Sequence, residues 1–543
     1  MLSLFTIFFV MRSNFSIFPI IFVTSHRITN VFFIIAMNIS ISTKVATFIL
    51  LCLPLCTWGQ NALTRSLRQI EYNIETQGSF ANGDTPLWLN ANHYGLSSIK
   101  GNNGYLRAAI SHNVNADSLN KWRIGYGLDL AAPINYTSHF IIQQLYADFE
   151  YKKIRLTIGA KQQPMLLKNT SLSSGSQTLG INARPIPCVR FEIPEYLNIS
   201  GRGDWAAIRG HISYGMQTDG NFEADYVGTN TSAHYAKNVL VHTKAGYLRL
   251  GNKQKFPLTF EGGIEMATQF GGTAYNVVTW DGINTSSLKM THKLKDFINA
   301  TFGLGGDVTD GQGYANATGN TLGSWLARLS WQERNWALSV YYDHFFEDHS
   351  QMFLQYGWLD GLVGVEARLP HNHIVDNVLY EFVKTTYQSG PVYHDHTTAI
   401  PDQISGTDNY YNHSIYTGWQ HWGQAIGNPL FTSPLYNHKA DLFFTSNRFK
   451  AHHVGISGSP CNGLHYRLFY THQRSLGTYS IPYDMARTNN SYMFEVGFSP
   501  LRIGKINTKG WGLKTTFAFD RGDLLGNNTG FQLTISKVGL LKR

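Results

Sequence analysis

The stretch Asp408-Asn409-Tyr410-Tyr411-Asn412-His413, followed by Trp419-Gln420-His421-Trp422-Gly423, sets aromatic rings beside amides, imidazoles and a carboxylate. Sugars stack their C–H faces on rings and offer hydroxyls to polar side chains, so this composition suits carbohydrate recognition. The structural alternative is an aromatic girdle at a membrane surface next to a polar loop. Arg184 and Arg467 are the basic residues expected to act with the stretch, because guanidinium groups pair bidentately with carboxylates. The candidate carbohydrate-binding set is therefore Arg184, Asp408, Asn409, Tyr410, Tyr411, His413, Trp419, His421, Trp422 and Arg467.

Most of the 21 histidines fall between His344 and His472. His394-Asp395-His396, and Asp343-His344 with Glu347, Asp348 and His349, are the densest groups. Imidazole and carboxylate together could bind a divalent metal, but neither group has a fixed third partner, and polar loops commonly hold such runs. No metal and no cofactor is expected. Hydrolytic barrels hold a Ser or an acid against a His at hydrogen-bond distance; here no spacing selects one triad, and the G-x-S-x-G, H-E-x-x-H and P-loop motifs are absent. A non-catalytic protein is expected.

The elements that must carry these residues read as strands. In Trp511 to Asp520, the side chains of Trp511, Leu513, Thr515, Phe517 and Phe519 point one way, and those of Gly512, Lys514, Thr516, Ala518 and Asp520 the other. One face is large and apolar; the other is small, polar or charged. The pattern recurs at Trp122 to Leu130, Ile154 to Lys161, Leu258 to Ala267, Trp336 to Asp343, Leu464 to Thr471, Ser491 to Phe498 and Phe531 to Ser536. A single copy fits any half-buried strand, but many copies of roughly 9 to 11 residues fit a transmembrane β-barrel with a wet interior. Composition agrees: aromatics make up 14% and charged residues 15%, the latter well below the roughly 25% of soluble domains. No linker divides the chain.

Lys44, the apolar run Val45 to Leu55 and the small residues of Thr57-Trp58-Gly59 have the layout of a secretory signal cleaved before Gln60. Met37 suffices as a start, so residues 1–59 are expected to be an over-long start plus signal peptide, and residues 60–543 a single barrel domain. Neither Cys52 nor Cys56 follows a small residue, which argues against lipoprotein processing. After Gln60 no run of 18 apolar residues remains to make a transmembrane helix, which points to the outer membrane of a Gram-negative cell. Cys188 and Cys461 permit at most one disulfide in the mature chain, and nothing in their spacing calls for it. The net charge of +9 falls further once Arg12, Arg27 and Lys44 leave with the signal, too weak a balance to suggest nucleic acid.

From Gln60 to Arg543, at roughly 25 to 30 residues per strand and connection, the even-number rule gives about 16 to 18 strands; eighteen are expected. Turns at Tyr151-Lys152-Lys153 and Gln332-Glu333-Arg334-Asn335 should be periplasmic, and the segments around Gly201, Gly220 and Gly390 should be outer loops or folded inward. Leu288, His292, Leu294, Phe297, Ile298 and Phe302 fall at helical spacing, as in a short helix that caps or plugs one end. With the apolar sets facing lipid, Arg107, Arg123, Arg155, Lys161, Arg328, Arg368, Arg467 and Lys514 line the lumen among Asp129, Glu261, Glu265, Asp343, Glu366 and Asp520. Such a lumen either focuses a field on acidic polymers or satisfies itself by mutual pairing.

The phrases G-D-T-P-L-W-L-N-A-N at Gly83 to Asn92, N-G-Y-L-R at Asn103 to Arg107, N-A-R-P-I-P at Asn182 to Pro187, F-P-L-T-F-E-G-G-I-E at Phe256 to Glu265, F-F-E-D-H-S-Q at Phe345 to Gln351 and Q-S-G-P-V-Y-H-D-H at Gln388 to His396, with the Asp408 to Gly423 stretch, carry a resemblance. Together they resemble the Bacteroidetes branch of the capsule assembly protein Wzi family over nearly the whole mature chain. The resemblance implies an outer-membrane barrel of 18 strands with short periplasmic helices partly plugging it, a surface lectin that helps retain exported capsular polysaccharide. The chain ends Leu540-Leu541-Lys542-Arg543 instead of in the terminal aromatic common among such barrels. The partners expected are capsular or surface polysaccharide, outer-membrane lipid and the barrel insertion machinery, not nucleic acid. A diffusion porin is the alternative, and an outer-membrane hydrolase a third.

Overall fold

A computed structural model describes residues 69–542, except 118–119, 279–283, 305–318, 348–351, 353–359, 371 and 394–403. The expected leader, His394-Asp395-His396, Asp348 and His349 lie outside the described residues.

Eighteen antiparallel strands close into one barrel. In chain order they are β1 (Ile70–Asn82), β2 (Asn103–His112), β3 (Trp122–Ile134), β4 (Ile141–Tyr151), β5 (Ile154–Ala160), β6 (Cys188–Asn198), β7 (Ala206–Met216), β8 (Leu240–Leu250) and β9 (Leu258–Phe270). They continue as β10 (Asn320–Gln332), β11 (Ala337–Glu347), β12 (Gly361–Arg368), β13 (Asn377–Lys384), β14 (Phe449–Cys461), β15 (Leu464–Gly477), β16 (Pro482–Phe498), β17 (Trp511–Gly522) and β18 (Thr529–Lys542). Each pairs with its chain neighbours, and β1 closes the ring against β18 with Gln77 opposite Thr534. Closure is what a bilayer demands, since an open edge would leave backbone groups unpaired in lipid. No described helix is long and apolar enough to cross a membrane. Cys188 and Cys461 are free thiols.

Alternation places the side chains as the sequence suggests. In β17, Trp511, Leu513, Phe517 and Phe519 are 51%, 41%, 53% and 38% exposed on the outer wall, while Thr516, Ala518 and Asp520 are buried inward.

Connections differ sharply between the two ends. At the end holding the chain termini they are short, such as 152–153, 333–336 and 462–463; the other end holds the long ones, 83–102, 161–187, 217–239, 271–319 and 385–448, with short turns among them at 135–140, 478–481 and 523–528. The segment at Gly201 corrects an expectation: it is the turn 199–205 between β6 and β7, at the short-turn end. The glycine there supplies a left-handed residue with φ 68° to a tight turn, not length to a loop.

Helices are few. Single 3-10 turns at Val114–Asp117 and Gly201–Gly203 lie at the terminus end. The α-helices α1 (Leu87–Asn90), α2 (Gly220–Val227) and α3 (Leu294–Phe302) lie in connections at the long-loop end. The helical spacing noted from Leu288 is realised only from Leu294; Leu288 itself sits in a strand, Asn284–Lys289, opposite Ala274.

The main apolar core lies inside the barrel. Helix α1 tucks under the rim, where Leu87 N–H donates to Asp520 Oδ2 at 3.0 Å and Trp88 Nε1 donates to Thr471 Oγ1 at 3.1 Å. It joins Phe345, Tyr410, Tyr411, Trp419, Phe431, Phe444 and Phe449 in one buried cluster.

Candidate carbohydrate-binding site at the long-loop end

Two inward-folded segments occupy the lumen. Segment 161–187 reaches toward the terminus end, where Arg328 Nη1 donates to Leu167 O at 3.1 Å and Arg467 Nη1 to Ser171 O at 2.7 Å. Higher up, Lys168 Nζ donates to Asp343 Oδ2 at 2.6 Å. Ser173 Oγ and the Ser174 backbone N–H donate to the Glu381 carboxylate at 2.6 and 2.8 Å. At Ser174, which is fully buried, a polar wall residue thus satisfies loop backbone that bulk water no longer reaches.

Segment 408–448 packs on top, and here the expected patch divides. Tyr410 and Tyr411 are 0% exposed and Trp419 1%. Tyr411 stacks on Phe431 with centroids 3.9 Å apart and donates its hydroxyl to Gln177 O. Tyr410 Oη donates to Asp360 Oδ2 at 3.2 Å, and Trp419 Nε1 to Thr178 O at 2.9 Å. These rings are the core of the plug, with no face free for a sugar. Asp408 is buried, and Asn409 Oδ1 accepts from Asn412 Nδ2 and Asn447 Nδ2. His413 Nδ1 accepts the Ile415 N–H at 3.0 Å. Asn409 and His413 are spent on holding their own segment.

Arg467 is also set apart. It lies on the lumen wall toward the terminus end, paired with Glu495 at 2.8 Å. Of the other expected lumen cations all but Arg368 are paired: Arg107 with Asp129, Arg123 and Arg155 with Glu150, Lys161 with Asp148, Arg328 with Glu366 and Lys514 with Glu495. The lumen therefore answers its own charge instead of projecting it. Arg368 is exposed near the terminus end, beside a cavity of about 320 Å³ that Glu261 and Arg249 also line. Asp343 and His344, adjacent in β11, point to opposite faces, so that carboxylate–imidazole group is split by the pleat. Among the described residues no cluster of His, Cys, Asp and Glu could hold a metal.

What remains is a smaller constellation around Trp422. The two-residue strands Gln420–His421 and Gln424–Ala425 pair as a hairpin whose turn is Trp422-Gly423, at φ 57° and 76°. Two successive positive φ values match the twist of a tight hairpin, but the conformation costs a non-glycine residue about 1–2 kcal/mol. Local strain of this kind gathers at functional sites, and here it lifts the indole out of the core. Trp422 N–H is held by Asp219 Oδ2 at 2.7 Å and its Nε1 donates to Thr218 Oγ1 at 3.2 Å.

Around the half-buried indole stand Phe222, stacked at 5.4 Å, and Tyr226, 5.6 Å from Phe222. They are four apart on α2 and so share a face. The Arg184 guanidinium lies 4.3 Å from the Trp422 ring centroid. Its Nη atoms donate to Ser138 Oγ and Thr137 Oγ1 at 2.9 Å, while buried Nε has no partner. Burial pulls this guanidinium down to about 10, against the opposing pull of the Asp219 carboxylate. Arg184 has a hydrogen-bonded fork but no ion pair, unlike the paired lumen cations.

The same junction holds two buried titratable groups. His421 Nδ1 faces Arg184 O at 2.9 Å and its Nε2 accepts the Thr218 N–H, so its proton is on Nδ1; burial lowers its pKa and keeps the ring neutral. Glu223 accepts from Ala236 N–H, Thr417 Oγ1 and Gln420 Nε2, and burial with the nearby Asp219 charge pushes it up to about 8. Phe222, Tyr226, Asp219 and Glu223 were missed from the sequence, although the spacing F-x-x-x-Y after Gly220 could have pointed to a helix face.

The fold defines the class: a closed 18-stranded barrel of the outer-membrane type, its interior occupied by inward-folded connections. Among solved structures it is similar to Escherichia coli Wzi, described as an outer membrane protein involved in group 1 capsule assembly and a carbohydrate-binding β-barrel. The identity is 14%, over 92% of this chain and 89% of that one, with a TM-score of 0.52. It is also similar to Pseudomonas aeruginosa OprD, at 7% identity over 88% and 96% of the two chains with a TM-score of 0.42. Acinetobacter baumannii OccAB4 matches at 9% identity over 87% and 99%, with a TM-score of 0.41. At such identities the likeness is one of fold. No protein-family model and no curated protein sequence matches the chain.

Proposed function

We propose that this chain is a Wzi-type outer-membrane lectin: it binds capsular or other surface polysaccharide at its long-loop end and helps retain it, breaking no bond in the glycan. The observation that carries this is Arg184, a buried cation with no carboxylate partner, lying against Trp422 beside Phe222 and Tyr226. Such a group suits an acidic sugar whose carboxylate is drawn by the uncompensated guanidinium charge while its C–H surface rests on the partly exposed edges of Trp422, Phe222 and Tyr226. The resemblance of the sequence phrases to the Wzi family supports it, and so does the fold, since E. coli Wzi is described as carbohydrate-binding. The long connections would face outward, following the usual disposition of short periplasmic turns.

A diffusion porin needs a continuous water path, and segments 161–187 and 408–448 are packed across the lumen instead. Binding of an acidic capsular polysaccharide to purified barrel, with single-channel conductance on the same material, tests the proposal. Expected are saturable binding that weakens as salt screens the Arg184 contact, near abolition by Trp422→Ala with Arg184→Gln, and no steady conductance. Unchanged binding in the double variant, or a stable porin-like current from wild type, overturns it.

A further inference from the structure

Helix α3 lies on the outside of the barrel wall. In β7 and β8, His211, Ser213 and Thr243 bond to one another on the lumen side. The intervening Tyr214 and its β8 neighbours His242 and Lys244 therefore face outward. In β9, Glu265 accepts from Tyr247 inside the lumen, which leaves Phe270 outward as well. Helix α3 packs on these outward residues. Tyr214 Oη donates to Phe297 O at 2.8 Å, and the Phe297 ring lies 5.3 Å from Tyr214 and 5.1 Å from Phe270. Lys244 Nζ donates to Ala300 O at 3.3 Å and to Thr301 O.

The lysine explains the helix. A cation on the lipid-facing wall costs about 2–4 kcal/mol near the bilayer centre and about 0–1 near an interface. The last turn of a helix has carbonyls without intrahelical partners and a partial negative charge. Folded against the wall, α3 gives Lys244 both.

What α3 turns away from the wall is apolar. Leu294, Ile298 and Phe302 are 77%, 47% and 71% exposed and form one stripe at successive four-residue steps, while Asp296 and Asn299 are buried. A helix in water buries its apolar stripe; this one is inverted. The stripe continues the apolar wall beside it, where Ile208 and Met216 of β7 and Leu248 of β8 are exposed. Direction follows from register. Tyr214, which holds Phe297, pairs with His242, two residues nearer the long-loop rim than Lys244, which holds the C-terminal turn. The N-terminal turn, with exposed Lys293 and Lys295, therefore points toward that rim.

We propose that α3 is an interfacial helix of the outer leaflet, its Leu294–Ile298–Phe302 stripe set in lipid acyl chains and its basic N-terminal turn at the anionic headgroups. The proposal is independent of the glycan reading.

The test uses the full chain carrying Cys188→Ser and Cys461→Ser, with a single cysteine at Ile298, Phe302 or Lys293 labelled with bimane. Each variant is first shown to fold by heat-modifiable migration, then placed in phosphatidylcholine vesicles with brominated acyl chains. Labels at positions 298 and 302 should be quenched by bromolipid and shielded from aqueous iodide, and the label at 293 should show the reverse. Iodide quenching at 298 equal to that at 293 would put the stripe in water and overturn the proposal. Shielding of 298 from both quenchers would overturn it too, since protein, such as a second copy, would then cover the stripe.

Discussion

Lys168 Nζ lies 2.6 Å from Asp343 Oδ2, with both side chains shut away from solvent inside the barrel. This contact ties the inward segment 161–187 to wall strand β11, and Asp343 Oδ2 also accepts the Gln177 N–H at 3.1 Å. Removing one member strands the other as an unpaired buried charge, typically at a cost of about 3–5 kcal/mol. Asp343→Asn and Lys168→Met should each loosen the plug and raise conductance in planar bilayers. Combining Lys168→Met with Asp343→Leu should largely restore a quiet barrel. Conductance that stays silent in both single variants would show that the plug does not depend on this pair.

Trp419 and Trp422 should behave oppositely, although three residues apart. Trp419 is sealed in the core, so Trp419→Ala should cost about 3–5 kcal/mol of stability, seen as a lower melting temperature of the detergent-solubilised barrel. Trp422→Ala should leave melting nearly unchanged and weaken glycan binding by about 2 kcal/mol, roughly 30-fold, as for a central aromatic anchor. Equal melting losses in the two variants would make Trp422 another core residue.

Glu223 gives the long-loop junction a pH dependence. With its pKa raised to about 8 in the folded protein, the folded state binds a proton that the unfolded chain releases near the ordinary carboxylate value. Its stabilising contribution is full below that value and is lost as pH rises through about 8. Hydrogen exchange in residues 219–227 and 417–423, corrected for the intrinsic rate, should speed up between pH 5 and 9. Glu223→Gln should flatten this dependence, and a profile unaltered by the substitution would remove Glu223 as the cause.

The outer wall can be checked in β17. In a Cys188→Ser, Cys461→Ser background, cysteines at Leu513 and Phe517 should react with a lipid-phase maleimide and one at Lys514 should not. The opposite labelling would invert the strand.

Maturation is a separate matter. Amino-terminal sequencing of outer-membrane material should start at Gln60, and a start before Met37 would refute the signal assignment.

Barrel class, outer wall and approximate strand number were legible in the sequence because a strand in lipid obeys a local rule. Every second residue must be apolar, as from Trp511 to Phe519, and every crossing needs a similar length. The site was not legible in the same way. Asp408 to Gly423 is rich in rings, but composition cannot say which rings are inside: Tyr410, Tyr411 and Trp419 fill the plug, while a strained two-residue turn lifts Trp422 out to meet Arg184 and Phe222. Partners from 161–187, 217–239 and 408–448 meet there only after long connections fold inward. Likewise the sequence left two readings of the lumen charges, a field on acidic polymers or mutual pairing, and pairs such as Arg107–Asp129 and Arg467–Glu495 across neighbouring strands decide for pairing. Alternation is set within a strand, by the bonding geometry of the chain itself. Which inward-facing groups neutralise one another, and which ring is left exposed, depends on residues far apart in sequence, and only the closed barrel brings those together.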